Sequence, residues 1–291
     1  MKIITKIVGG LGNQMFQYAI GRSMAIKNNA ELVLDTYDFK TYRRPYFLDR
    51  FNIQENYLPD DEAIKYRKYE TRFSPSLVWE NIKSIKNRTY RLEKPSEYFK
   101  FIPGFLDTDK NETVYLNGYW QNERYFKEIR NELLNEFTLK VDFNIENTDV
   151  FKRANTQKSV AIHFRRGEDQ LSKPMYGVPP IQYYYDALNY INDSLGGGAH
   201  AIIFTNDPEW VKNNYKPDIS HEFAIDSNLT DFQELSLMAA CSNHIIANST
   251  FSWWGAWLGQ EVNKNVIAPK TWLSNNQYDT VGLYLSNWIR M

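Results

Sequence analysis

From residue 159 onward, short apolar runs alternate with longer segments in which apolar residues recur at helical spacing. The short runs, 159–164, 201–204, 221–224, 244–247 and 265–268, predict strands. The longer ones, 181–195, 208–214, 231–241 and 252–260, predict helices, and Asp207 before Pro208 supplies a helix cap followed by a residue suited to the first turn. Such alternation predicts a doubly wound parallel sheet. The N-terminus repeats the pattern with a strand over 2–8, a glycine-rich turn and a helix over about 14–27. Met15, Tyr18, Ala19, Arg22 and Ile26 are near helical spacing there, and a second strand over 31–35 completes a βαβ unit, usually right-handed and parallel. A strand over 113–116 and a helix over 122–137 follow. The intervening stretch, 36–114, is rich in Tyr and charge and weakly periodic. Within it Lys83, Lys86, Arg88, Arg91 and Lys94, with Tyr90 interleaved, read most simply as a solvated helix face; attachment to an anionic membrane surface is the alternative. The polar stretch 141–156 puts a boundary near residue 150. The expected fold is α/β, with two Rossmann-like lobes, 1–150 and 151–291, facing a cleft.

Composition narrows the class. Hydrophobic residues make up 43% of the 291, enough for a full core in one large domain or two ordinary ones. A formal net charge of −1 argues against a nucleic-acid partner. Cys241 is the only cysteine, so no intrachain disulfide can form. Thr5-Lys6 splits the first apolar residues, unlike a signal peptide, and no run reaches the eighteen apolar residues of a membrane span. The expectation is a soluble, cytoplasmic protein. Aromatics reach 15%, a level that suits sugar-stacking surfaces and, for most of them, an aromatic core.

The candidate chemistry gathers where predicted strands end. Arg165-Arg166 follow the strand over 159–164, and Gly167 breaks it at once. Two guanidiniums at the carboxyl edge of a parallel sheet suit a diphosphate or another strong anion; exposed surface ion pairs are the plainer account. Asn248-Ser249-Thr250-Phe251-Ser252, between a strand and a helix, offers hydroxyls and helix-start N–H groups as a phosphate cradle that needs no metal, although a single helix cap explains one hydroxyl. Trp253, Trp254 and Trp257 behind it read as core. Gly9-Gly10-Leu11-Gly12 lets a backbone approach a ligand closely, or is simply a tight turn, and Asn13 and Gln14 bring neutral amides suited to sugar hydroxyls. Asp226, after the strand over 221–224, could accept from both donors of a guanine edge or could be a turn aspartate. His163, inside the strand before the arginines, is a buried histidine or a ligand contact. The histidines have no metal-ligand spacing, so no metal site is expected.

Six stretches carry a resemblance to a known family. They are Gly9-Gly-Leu-Gly-Asn-Gln-Met-Phe-Gln-Tyr-Ala19, Asn117-Gly-Tyr-Trp-Gln-Asn-Glu-Arg-Tyr-Phe126, His163-Phe-Arg-Arg-Gly167, Phe204-Thr-Asn-Asp-Pro-Glu-Trp210, Asp231-Phe-Gln-Glu-Leu-Ser-Leu-Met238 and Ala247-Asn-Ser-Thr-Phe-Ser-Trp-Trp-Gly-Ala-Trp-Leu258. In this order they resemble the α-1,2-fucosyltransferases of glycosyltransferase family 11. The resemblance implies a GT-B fold and inverting, metal-independent transfer of fucose from GDP-fucose to a β-galactoside acceptor. It sets Arg165 and Arg166 on the leaving diphosphate, Ser249, Thr250 and Phe251 along the phosphates and fucose, Asp226 on guanine, and Asn13 and Gln14 toward donor or acceptor. The family usually writes Asp directly after the glycine; here Glu168 holds that place and Asp169 follows, and both are candidates for the base, as is a carboxylate of the first lobe. A bacterial enzyme of this type implies a surface polysaccharide such as O-antigen, and peripheral contact with the inner membrane or a lipid-linked glycan.

Overall fold

The computed structural model describes residues 1–70, 74–109, 112–167, 171–172, 177–274 and 278–291. The chain divides into two compact units, Met1–Thr138 with Asp279–Leu283, and Leu139–Tyr278 with Tyr284–Met291. The division falls after Thr138 rather than near residue 150. Ile145, Val150 and Ala154 explain the shift, since they pack with Ala161, Ile202, Phe204 and Leu237 in one core cluster of the second unit.

The first unit is built on β1 (Lys2–Lys6), β2 (Glu31–Asp35), β3 (Tyr90–Leu92) and β4 (Val114–Asn117). They pair in the order β2-β1-β4-β3, all parallel. The helix after β1 starts at Leu11, directly behind Gly10, and is buried along most of its length. The weakly periodic middle resolves into helices Asp60–Tyr66 and Pro75–Ile82 and the strand β3. Its basic run is therefore not a helix face. Arg91 lies on β3, fully buried, and donates to the backbone carbonyls of Phe105 and Asp107 (2.9 Å for the second). The helix expected over 122–137 is shorter, Arg130–Glu136, preceded by two 3₁₀ turns. Asn122 caps the first turn, its side chain accepting from Arg124 N.

The second unit contains β5 (Ser159–Phe164), β6 (His200–Thr205), β7 (Ser220–Phe223), β8 (Asn243–Ile245), β9 (Val266–Ala268) and β10 (Ile289–Arg290), the last unforeseen. The order β7-β6-β5-β8-β9-β10, parallel throughout, is the doubly wound order of dinucleotide-binding folds. All six residues of β5 are buried, because both faces of the sheet are covered. Val160, Ile162 and Phe164 enter one core cluster and Ala161 enters the other. Trp253, Trp254 and Trp257 are buried, as core residues should be. Gly255 lets their helix approach its neighbour, Asp231–Ala240: a Cβ there would collide with Met238.

Candidate functional site

In the second unit the chain leaves β5 toward β6 and leaves β8 toward β9, in opposite directions along the sheet. Strand order therefore reverses between β5 and β8, and the crevice outside their carboxyl ends is where such sheets bind ligands. Arg165 and Arg166 leave β5 at that point, and Ser249 and Thr250 leave β8 there to start the helix Thr250–Leu258. One contact ties the two segments together: the rings of His163 and Phe251 lie 5.6 Å apart, tilted by 45°.

The segments are held locally. Ser249 is the helix N-cap, its Oγ accepting from Phe251 N (3.3 Å). Asn248 anchors the turn by donating to the carbonyl of Trp272 (3.0 Å) and to that of Gly177. Thr250 and Phe251 stay partly exposed. Arg166 is the most constrained of the candidates. Its backbone N donates to Asn206 Oδ1 (2.9 Å), and its guanidinium lies 3.3 Å from the ring centroid of Trp210. Its Nε stands 3.5 Å from the Asp207 carboxylate, too long for a hydrogen bond, and has no other partner. Asp207 is itself fixed as a helix cap, accepting from Trp210 N (3.3 Å). The Trp210 ring and the Asp207 carboxylate together limit where this guanidinium can move. Arg165 is partly buried and close enough to His163 for its charge to act on the ring.

Burial, and then the Arg165 cation, push the His163 imidazole down to about 3. It is therefore neutral near pH 7, and its buried Nδ1 has no hydrogen-bond partner. Asp226 stands apart from this group. It lies in the turn after β7, two strands from β5, with a 60% exposed side chain paired to Lys212 Nζ (2.9 Å). Glu168 and Asp169 lie outside the described residues.

In the first unit the loops after the neighbouring strands β1 and β4 leave the sheet side by side. Gly9 turns the chain at φ +89°, a conformation that favours glycine, and Gly10 lies against the Arg44 guanidinium. Asn13 is partly exposed and its Oδ1 accepts from Gln121 Nε2 (2.9 Å). Gln14 is fully buried and wholly engaged. Its Nε2 donates to the carbonyls of Gly9 and Pro45 (3.0 Å each), and its Oε1 accepts from Phe47 N (3.0 Å). Gln14 thus shapes the glycine loop. Gln17 joins the loops after β1 and β4, accepting from Val8 N (2.9 Å) and donating to Gly118 O (3.1 Å).

Comparison with known proteins settles the family. The profile of glycosyl transferase family 11 matches residues 2–291. The chain belongs to glycosyl transferase family 11. It is an enzyme that transfers a sugar. An alpha-1,2-colitosyltransferase of Escherichia coli is 30% identical over 99% of this chain and 98% of its own length. An O-antigen biosynthesis glycosyltransferase, WbnK, of the same organism is 30% identical over 97% and 98%. Galactoside alpha-(1,2)-fucosyltransferase 2 of Hylobates lar is 25% identical over 86% of this chain and 67% of its own. Among solved structures, fucosyltransferase NodZ from Bradyrhizobium superposes with a TM-score of 0.55 at 15% identity, covering 88% of this chain and 92% of its own. An Arabidopsis thaliana FUT1 variant in complex with GDP gives 0.53 at 13%, over 93% and 71%. At such identities the likeness shows the fold, which is GT-B.

Two carboxylates of this family 11 enzyme were given no role on sequence alone. Glu93, directly after β3 at the carboxyl edge of the first sheet, is only 5% exposed. Its Oε2 accepts from Tyr119 N (2.7 Å) and Trp120 N (3.1 Å), fixing the loop after β4, where Trp120 has φ +54°. Burial drives its pKa up to about 7 against the lowering effect of those N–H groups. Glu234, on the helix Asp231–Ala240, is also pushed up to about 7 by burial and then by Asp231. The available signal for Glu234 was its place between the buried Phe232 and Leu235. Glu93 lay in the stretch without legible period. Among the described residues no group of three or more His, Cys, Asp or Glu could hold a metal ion.

Proposed function

We propose that this enzyme is a galactoside α-1,2-fucosyltransferase, moving fucose from GDP-fucose to the 2-hydroxyl of a β-galactoside in a bacterial surface glycan such as O-antigen. The observation that carries the proposal is the meeting of the Arg165-Arg166 strand end with the Ser249–Thr250 helix start at the reversal point of the second sheet. Such a site suits a diphosphate, and the fucosyltransferase and O-antigen relatives supply the sugar chemistry. In the reaction the acceptor oxygen bonds to C1 of fucose as the C1–O bond to the β-phosphate breaks. The acceptor proton passes to a carboxylate base, for which Glu168 and Asp169 remain our candidates. Inversion follows from this single displacement. Negative charge grows on the departing phosphate, where Arg165, Arg166 and the helix-start N–H groups stabilise it without a metal. Ser249, Thr250 and Phe251 line the donor; His163 contacts it as a neutral imidazole; Asn13 serves the sugar side; Asp226, freed from Lys212, reads guanine. The enzyme works in the cytoplasm.

A second reading keeps the site and changes the sugar. The alpha-1,2-colitosyltransferase relative spans the whole chain, and colitose is fucose without its 3-hydroxyl. The deciding experiment is GDP release from GDP-fucose in EDTA, with and without lactose, repeated with GDP-colitose. Lactose-dependent release and a fucosylated trisaccharide support the proposal. Release from GDP-colitose alone supports the second reading. Tight GDP binding without transfer from either donor to a galactoside panel would sink both.

A further inference from the structure

The stretch 117–126 is distinctive in sequence yet carries none of the donor chemistry. It opens with the loop after β4, at the carboxyl edge of the first sheet, and this loop is fixed from the sides of both neighbouring strands. On the β3 side the buried Glu93 holds Tyr119 N and Trp120 N through Oε2 (2.7 and 3.1 Å), and its own backbone N donates to Asn117 O (2.9 Å). Gly118 makes room for this, since a Cβ there would collide with Glu93 and with the Trp120 ring. On the β1 side Gln17 Nε2 donates to Gly118 O (3.1 Å). Trp120 itself has φ +54°, a conformation that a bulky residue enters only at a cost. Its ring is buried against Phe105 (centroids 4.4 Å apart) and Tyr125 (6.1 Å), which holds it there. Strain that the surroundings over-determine belongs to ligand-binding loops more than to plain connections.

The strained residue separates two accessible side chains, Tyr119, 36% exposed, and Gln121, partly exposed. Gln121 Nε2 donates to Asn13 Oδ1 (2.9 Å), joining this loop to the start of the helix Leu11–Lys27. One bond between two amides leaves Asn13 Nδ2 as a donor and Gln121 Oε1 as an acceptor, and among the described residues neither has a partner. A hydroxyl both donates and accepts, so an amide N–H₂ beside an amide carbonyl complements vicinal hydroxyls of a sugar. The tyrosine ring adds an apolar face for the C–H side of a pyranose, with a polar tip. All three side chains are neutral. Of the charged groups nearby, Glu93 is buried, Glu97 accepts from Lys94 N (2.9 Å), Arg124 lies over the Phe101 ring (4.2 Å) and Arg44 lies against Gly10. Neutral amides and a phenol suit an uncharged ligand better than a diphosphate, whose usual partner is a charged fork. Arg44 brings a cation to the neighbouring turn, so a test must follow the donor as well as the acceptor.

We propose that Asn13, Tyr119 and Gln121 form the subsite for the neutral galactoside acceptor, with the two amides on its hydroxyls and Tyr119 against its ring. The inference rests on the proposed transfer to a galactoside. Its test uses the full chain with GDP bound and measures the affinity of methyl β-galactoside, lactose and N-acetyllactosamine by saturation-transfer NMR and titration, beside KM values for lactose and GDP-fucose. Gln121→Ala and Tyr119→Ala should each raise the galactoside Kd and the lactose KM at least tenfold. In both, kcat should stay within about threefold of wild type and the KM for GDP-fucose should not change. Tyr119→Phe keeps the ring and should stay within about threefold throughout. Neither side chain is buried, so melting temperatures should match wild type. Wild-type galactoside affinity and lactose KM in both Ala variants would overturn the proposal. So would a rise confined to the KM for GDP-fucose, which would give the loop to the donor. If the wild type moves fucose to no galactoside, the proposed function fails, yet loss of direct galactoside binding in the variants still supports the subsite. Wild-type protein that binds none of the three glycosides overturns it.

Discussion

Arg166 shows how much of a side chain's function lies in what holds it. Two arginines after a buried strand already point to an anion, but surface ion pairs account for them equally well on sequence alone. The Trp210 ring and the Asp207 carboxylate hold the guanidinium at 17% exposure, and whether an anion is what it meets is a matter for substitution. Arg166→Ala should lower turnover by about 10² to 10³ while the protein stays folded, measured as donor-dependent GDP release beside a melting curve. Arg166→Lys should recover only part, because an ammonium lacks the fork. Trp210→Leu should cost about tenfold through loss of the cation–π platform. Glu93 carries a different prediction. Its folded pKa of about 7 lies above the ordinary 4.5, so the folded state binds the extra proton. That stability is fully present below pH 4.5 and is lost as pH rises through 7. Glu93→Gln keeps an oxygen for Tyr119 N and Trp120 N yet cannot ionise. Denaturant unfolding at pH 8 should find it more stable than wild type by about 3 kcal/mol, with the two converging near pH 4.5. Equal stability at both pH values would place Glu93's carboxyl in water.

At the scale of elements, strongly periodic segments were legible and irregular ones were not. The strand over 159–164 is visible because both its faces are buried and every residue suits that environment. The helix after β1 starts three residues earlier than its apolar spacing suggests, because Gly10 already provides the extended backbone its first turn needs. The three-residue β3 was invisible, since it contains Arg91, a charge buried because the carbonyls of Lys86, Arg88, Phe105 and Asp107 receive it. Gly255 tests how closely two helices meet. Gly255→Leu should destabilise the second unit by about 1–3 kcal/mol through overpacking against Met238, with the loss measured in denaturant. Ser249→Ala, which removes the cap but leaves the packing, should cost about 1 kcal/mol.

At the scale of the molecule, each unit has its own parallel sheet, and the second sheet has the strand-order reversal between β5 and β8. The proposed function assigns the donor chemistry to the second. Hydrogen exchange with and without GDP should therefore show new protection around 163–167 and 247–252, with β1, β2 and β4 unchanged. Protection confined to the first sheet would reverse the assignment of the two units.

The amino-acid order by itself determined the α/β class, most strands and helices of the second unit, the cap at Asp207, the buried tryptophans and the family. Each of these depends on local pattern or on contiguous motifs. The strand order, the meeting of His163 with Phe251, the full engagement of Gln14, the buried carboxylate of Glu93 and the pairing of Asn13 with Gln121 were decided only by tertiary structure. All of them depend on which distant segments become neighbours, and burial, more than residue type, sets what a polar group is worth.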